Sequence, residues 1–379
     1  MPSTTAPPGP LVTIDRVRAA RAIAEELGID LVVVTPGSDL RYLCGYHAHA
    51  MERLTALAVP RRGEPLLVVP RLEAPMVAAS PAGGLELDLL AWDETDDPFA
   101  LLADQVTARL GTAPARVAVG ARTWAEHALG VQRALPGAAL ELAAPVVDRL
   151  RMVKNAAEVE ELAAAGAAID RVHARMASIL RVGRTEAEVG ADIAAAILEE
   201  GHVVVDFTIV GSGPNGASPH HDVSARVVEA GDVVVVDIGG PYEPGYNSDS
   251  TRTYSIGAPD PEVARRYSVL QEAQRAAVAA VRPGVTAEEI DAAARDVLAA
   301  AGLAEAFVHR TGHGIGLSVH EEPYIVAGND IPLQEGMAFS VEPGIYFPGQ
   351  WGARIEDIVV VTADGALSVN EQPHDLVVV

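Results

Sequence analysis

Three acids occupy positions where a folded chain normally keeps charge out. Asp237 closes a run of four valines at 233–236, a pattern that reads as a doubly buried strand, and an ionised carboxylate there is costly unless something compensates it. Glu342 follows the apolar MAFSV, and Glu356 sits inside RIEDIVVV. One such acid is most simply placed in water just past a strand end; three in core-type strands point to a divalent cation, or two, as the shared compensator. A histidine cluster adds to this. His313 lies in HRTGHGIGLSVH between Gly312 and Gly314, with His309 before it and His320 after it. Glycines on both sides let the backbone approach closely and turn sharply, which suits an imidazole aimed at a metal.

The acids also come in pairs. Asp237 in DVVVVDIGG is followed by Asp249 in SDSTRTY, and Glu342 in FSVEPGIY by Glu356 in ARIEDIVVV. Each half of this region offers a strand with an acid and a glycine, a turn-rich connection and a second acid-bearing strand. Two such halves facing each other about a pseudo-twofold axis would bring four carboxylates together. Two other motifs fail on context. GSGPNG at 211–216 matches a dinucleotide fingerprint, but Pro219 and a non-helical stretch follow, so no helix N-terminus is there to hold a pyrophosphate. HEEPY at 320–324 lacks the second histidine of a zincin helix.

The elements that must position these residues fall into two textures. Up to about residue 150, short apolar runs alternate with helical stretches. DRVRAARAIAEELG reads as a helix stopped at Gly28 and FALLADQVTARLG as another, while IDLVVVT, RYLCGY, LTALAVP, PLLVVP and RVAVG read as strands. This predicts an α/β domain over residues 11–150. From Arg151, RMVKNAAEVEELAAAGAAIDRVHARMASILRVG reads as one long amphipathic helix, opened by an Asn155–Glu158 capping box. Further helices open at Thr185 with Glu188, at Asp260-Pro261 and at Thr286 with Glu289. HVVVDFTIVG, DVVVVDIGG, SDSTRTYSIG, MAFSVEPGIY and ARIEDIVVV read as strands, so an α+β domain is expected over residues 151–379.

Composition narrows the function classes. The 379 residues include 28 basic and 52 acidic ones, a formal charge of −24. Such a chain repels phosphate backbones and anionic lipid heads, which makes nucleic acid and membrane surfaces poor partners; acidity also serves plain solubility. The single cysteine, Cys44, excludes an intrachain disulfide framework and a thiolate-rich metal site, and reads as a packed thiol. No stretch nears the ~20 apolar residues of a membrane span. MPSTTAPPGP has no basic or apolar signal region and reads as a frayed leader on a cytoplasmic protein.

The order Asp237, Asp249, His313, Glu342, Glu356 resembles the five-ligand set of the pita-bread metallopeptidases. HRTGHGIGLSVHEEP, VEPGIY and ARIED look most like the prolidase (Xaa-Pro dipeptidase) and aminopeptidase P branch of that group. The resemblance is dense from about residue 150 onward and looser before it, where the chain is similar to the creatinase-type N-terminal α/β domain. It implies two divalent metal ions, with Asp237 on one, Asp249 and Glu356 bridging both, and His313 and Glu342 completing the second. Four carboxylates balance two dications, and oxygen-dominated ligation with one imidazole suits Mn²⁺, with Co²⁺ or Zn²⁺ as substitutes. Such a pair would activate water and polarise a scissile carbonyl, with Glu342 as the proton acceptor. By the same resemblance His220 contacts the substrate or stabilises the tetrahedral intermediate, and His309 and His320 bind the substrate and help shuttle protons. Arg354, two residues before Glu356, would orient that carboxylate. Tyr346 offers a hydroxyl nearby or simply packs in the core. His221 has no matching role and reads as incidental.

The activity so implied is hydrolysis of Xaa-Pro bonds in small peptides, dipeptides first, by a homodimer. Aminopeptidase P, which takes longer peptides, is the nearest rival. The stretch from Glu321 to Val341 contains no Lys or Arg, whereas several members of the branch place a basic residue there to grip a substrate carboxylate. Arg310 or a residue of the N-terminal domain would have to substitute. Methionine aminopeptidase needs no N-terminal domain of this size, creatinase-like hydrolases have lost ligands present here, and pita-bread binding modules carry broken ligand sets.

Overall fold

The computed structural model describes residues 11–379, so the proline-rich leader lies outside the described residues. The chain divides between Arg151 and Met152 into two compact units. No helix among the described residues is long and apolar enough to cross a membrane.

In the first unit, β1 (Leu31–Val34), β2 (Ala56–Pro60), β3 (Leu66–Pro70), β4 (Asp88–Trp92), β5 (Arg116–Val119) and β6 (Ala139–Leu142) form one mixed sheet. Its order is β4-β3-β2-β1-β5-β6. The helices are α1 (Ile14–Glu26), α2 (Ser38–Cys44), α3 (Ala74–Ala78), α4 (Pro98–Leu110), α5 (Ala125–Ala134) and α6 (Ala144–Arg151). β1, β2 and β3 are buried along their whole length, which is why they are apolar at every position rather than alternating. Gly28, in the left-handed region (φ 71°), follows the end of α1 as expected. RYLCGY, expected as a strand, instead supplies the end of α2. Gly45 stops that helix at φ 72°, and Leu40, Leu43 and Cys44 share its buried side. Two turns are too few for a helical period to stand out from an alternating one. Burial pushes the Cys44 thiol up to about 12, as suits an inert packed side chain.

In the second unit, α7 (Ala156–His173) opens with the Asn155–Glu158 capping box. The single long helix expected there breaks after His173 and resumes as the one-turn α8 (Met176–Ile179). α9 (Glu186–Glu199) and α11 (Ala287–Ala300) open with their Thr–Glu boxes, and α10 (Pro261–Ala280) opens at Asp260. The strands are β7 (Phe207–Ser212), β8 (Val233–Tyr242), β9 (Tyr246–Ser255), β10 (Gly312–Gly314), β11 (Glu321–Ile325) and β12 (Ala338–Val341). They continue with β13 (Gly344–Phe347), β14 (Trp351–Arg354), β15 (Asp357–Thr362), β16 (Gly365–Ser368) and β17 (Val377–Val378). β7 starts later than HVVVDFTIVG suggested: Val203 and Val204 are exposed, and regular pairing with β8 begins only at Phe207.

Two similar halves result. The sheet β17-β9-β8-β7 shares a core with α7 and α9, built on Ile169, Ile193, Val234 and Val236. The sheet β11-β10-β12-β15-β16 shares another with α10 and α11, built on Leu270, Ile290, Phe339 and Val359. MAFSVEPGIY and ARIEDIVVV, each expected as one strand, are each two, broken at Glu342-Pro343 and at Ile355-Glu356. β12 pairs with β15 on one side of the breaks and β13 with β14 on the other. The backbone N–H groups freed at the breaks find partners in neighbouring segments. Glu342 N donates to Thr311 O (2.8 Å) and Glu356 N to Thr251 O (3.1 Å). Both glutamates therefore leave the plane of their sheet at the same place.

Candidate metal centre

The register of β8 against β9 sets Asp237 opposite Thr251 and Gly239 opposite Asp249. Because side chains alternate along a strand, Asp237, Asp249 and Thr251 share one face. The second half contributes His313 from the middle of β10 and the two glutamates from the strand breaks. The ligating atoms of Asp249, His313 and Glu356 lie within 4.8 Å of one another, all three residues buried. His313 Nε2 is 3.5 Å from Asp249 Oδ2 and 3.4 Å from Glu342 Oε1. Asp237 joins through Arg354, whose Nη2 donates to Oδ2; its Oδ1 is buried without a hydrogen-bond partner among the described residues.

The electrostatics of this cluster call for cations. Burial pushes the Asp249 carboxyl well above its ordinary range, and the charges of Asp237 and Glu342 add to the push. Glu356 is raised in the same way, by burial first and then by Asp249, Glu342 and Asp237. Burial also lifts Glu342 to about 7. Four carboxyls set around the Arg354 guanidinium, with little access to solvent, cannot all ionise together unless further positive charge is supplied. The imidazole is poised to ligate: His313 Nδ1–H donates to Gly314 O (3.1 Å), which leaves the Nε2 lone pair turned to the carboxylates. Burial holds His313 well below its usual value, so the ring is neutral. An orphaned carboxylate oxygen, a neutral imidazole and clustered carboxylates are a donor set that fits divalent ions.

Around the cluster the structure corrects some expectations and sharpens others. Arg354 does not reach Glu356; its guanidinium bonds Asp237, the Tyr346 hydroxyl (2.8 Å), the Thr251 hydroxyl (3.1 Å) and Pro219 O (3.2 Å). Residues two apart share a face only along a continuous strand, and the break at Ile355-Glu356 separates Arg354 from Glu356. Glu356 is oriented by Thr251 instead, whose Oγ1 donates to Oε2 at 2.7 Å. His309 Nδ1–H donates to Arg310 O (2.7 Å), and Nε2 accepts from the Tyr346 hydroxyl (2.9 Å). Burial first, and then Arg354, lower His309 to about 3, which suits a neutral ring that orients Tyr346. His320 is exposed at the edge of the site, its ring 4.0 Å from that of His313. His220 is exposed on the loop that Arg354 holds at Pro219. Arg310 stacks on Tyr324, 4.5 Å from its ring centre. His221 is not incidental: it bonds Glu186 at 2.9 Å.

The glycines around His313 serve close approach, not sharp turning. A Cβ on Gly312 would lie 1.8 Å from Ser340 O, and one on Gly314 would lie 2.2 Å from Glu322 O. Ser340 is a contact the sequence did not suggest: its Oγ accepts from His313 N (3.0 Å) and donates to Glu342 Oε1 (3.1 Å). Gly312→Ala must therefore displace the residue that positions both His313 and Glu342. An ångström of misplacement costs about 10²-fold in kcat, and steady-state kinetics at saturating metal should show a loss of that size.

Lys154 was also missed. It is the chain's only lysine, its side chain is 1% exposed, and its Nζ donates to Glu321 Oε1 at 2.7 Å, next to His320. Lys154→Met removes the cation that neutralises this buried carboxylate, which should destabilise the protein by about 3–5 kcal/mol. Chemical denaturation of the variant would measure it; a cost under about 1 kcal/mol would mean the pair behaves as a surface one.

Two matched helix–sheet halves, closing on a buried carboxylate–imidazole cluster, define a metal-dependent hydrolase of the pita-bread kind. The chain belongs to metallopeptidase family M24, whose model matches residues 160–363, and residues 16–153 match the creatinase/prolidase N-terminal domain. It is 61% identical over 364 residues to the probable dipeptidase PepE of Mycobacterium tuberculosis, covering 96% of each chain. It is 36% identical over 361 residues to an Xaa-Pro dipeptidase of Lactobacillus helveticus, covering 92% of this chain and 95% of the other. The solved prolidase of Thermococcus sibiricus superposes with a TM-score of 0.90 at 33% identity, covering 98% of this chain and 100% of the other. The fold class and the branch read from the motifs agree with these matches.

Proposed function

We propose that this metallopeptidase hydrolyses Xaa-Pro bonds, dipeptides first, at a centre of two divalent ions with Mn²⁺ preferred. Asp237, Asp249, His313, Glu342 and Glu356 would hold them. The observation that carries the reading is the convergence of the Asp249, His313 and Glu356 donor atoms within 4.8 Å. Ions bound there would activate water and polarise the scissile carbonyl. The chain's own groups do the rest. Arg354 holds one oxygen of Asp237 and leaves the other for ligation. Thr251 fixes Glu356, and Ser340 fixes one oxygen of Glu342. The other oxygen of Glu342 is then placed to accept a proton and return it to the leaving imino nitrogen. His220 and His320, both exposed, are the groups that would meet the substrate, and His309 with Tyr346 holds the Arg354 guanidinium in place. The names of the relatives support a short substrate with proline after the scissile bond. Arg310 is the candidate for meeting the substrate carboxylate. The same reading keeps a homodimer in the cytoplasm as the working form, supported by the resemblance alone.

The test compares kcat/KM for Ala-Pro, its prolinamide and Ala-Pro-Ala with Mn²⁺-reconstituted protein. Ala-Pro should exceed Ala-Pro-Ala tenfold or more, about 1.4 kcal/mol in the transition state. Because no Lys or Arg lies between Glu321 and Val341, the carboxylate grip should be weak and KM for Ala-Pro high, on the order of 1 mM. A tripeptide that matches or beats the dipeptide would make this an aminopeptidase P.

A further inference from the structure

We infer that Glu186 is a positioning residue for His220, acting with His221 as a latch on the loop that carries it. The inference rests on the reading of His220 as a substrate-contacting group. Glu186 stands in the first turn of α9 and is 0% exposed. Its Oε1 accepts from Ser212 N and Ser212 Oγ, both at 2.7 Å. Its Oε2 accepts from His221 Nε2 at 2.9 Å and Ser224 Oγ at 2.5 Å. Asn215 Nδ2 spans the two oxygens at 3.1 and 3.0 Å. All these donors come from residues 212–224, the segment that contains His220. Burial pushes the Glu186 carboxyl up, but the Ser224, Ser212 and His221 donors outweigh it and hold it below its ordinary value. A buried anion supplied in this way fixes the groups around it, because each loses a strong bond if it moves.

The same loop is tied to the metal centre at a second place. Arg354 Nη1 donates to Pro219 O, the residue before His220. Gly216 O presses on β14 so closely that a Cβ on Gly352 would lie 2.0 Å from it. His220 thus sits between two anchors, Pro219 held by Arg354 and His221 held by Glu186, and the backbone between them has little freedom to swing its imidazole. Nothing in this arrangement requires the latch to touch substrate or metal, so its effect on the reaction must pass through His220.

A double-mutant cycle on the Mn²⁺-saturated full chain tests the inference, with kcat, KM and bound Mn²⁺ measured for each variant. Half-buried His221 is the safer handle, since Glu186→Ala would strand several buried donors and endanger folding. His220→Ala should cost about 10²-fold in kcat/KM, and His221→Ala about tenfold through misplacement, with metal content unchanged. In His220→Ala/His221→Ala the second loss should vanish, and His221→Gln, which keeps a donor near Glu186, should recover most of the activity. Additive losses, or a silent His221→Ala beside a costly His220→Ala, would overturn the latch and leave the role of His220 intact. A silent His220→Ala would overturn both, because the loop would then carry no catalytic group to position.

Discussion

Asp249→Asn should lower kcat by more than about 10²-fold, beyond the 10–100-fold typical of losing a group that only supports a ligand. The substitution keeps the shape of the side chain and removes one negative charge from the centre of the cluster. It should also separate function from stability. In the metal-free protein, burial and the neighbouring carboxylates hold the Asp249 carboxyl well above its ordinary range, so the folded state disfavours its ionised form. A group whose pKa is raised on folding destabilises the fold as pH rises past its unfolded value. Asn relieves that penalty, and metal-free Asp249→Asn should melt no lower than the metal-free parent at neutral pH. Activity lost while metal-free stability is kept is the signature of a ligand. A kcat within about twofold of the parent would remove Asp249 from the centre, while a variant that lost both stability and activity would make the residue structural.

The residues that expose the site in the sequence are those whose local cost is high. An acid after four valines, or inside RIEDIVVV, is a charge in a setting that cannot solvate it, and that conflict is visible without partners. The capping boxes at Asn155, Thr185 and Thr286 are equally local, and all three form. What escaped depends on geometry at a distance. The breaks at Glu342 and Glu356 are each only two residues long, so apolar patterning runs straight across them. Only Pro343, which cannot donate to a ladder, hinted at the first. Once the second break was missed, Arg354 was assigned to the wrong carboxylate. Thr251 and Ser340 are hydroxyls that carry no pattern, although each orients a glutamate. The Lys154–Glu321 pair joins residues 167 apart in sequence, and the one available signal was that a chain otherwise using arginine retains a single lysine. The Glu186–His221 bond had no local signal at all.

The most direct test of the central claim is metal removal followed by titration. The four clustered carboxyls, with Arg354 as the cation bonded among them, imply that the protein folds around a site needing further cations, and that its chemistry depends on them. Protein dialysed against chelator should lose essentially all turnover of Ala-Pro. Mn²⁺ added back should restore it, and elemental analysis should show activity saturating as two ions bind per chain. Bound ions should also raise the melting temperature, since ligands that bind the folded state alone stabilise it by an amount that grows with the logarithm of free ligand over Kd. Full activity in the stripped protein, or restored activity without stoichiometric Mn²⁺, would contradict the metal centre itself.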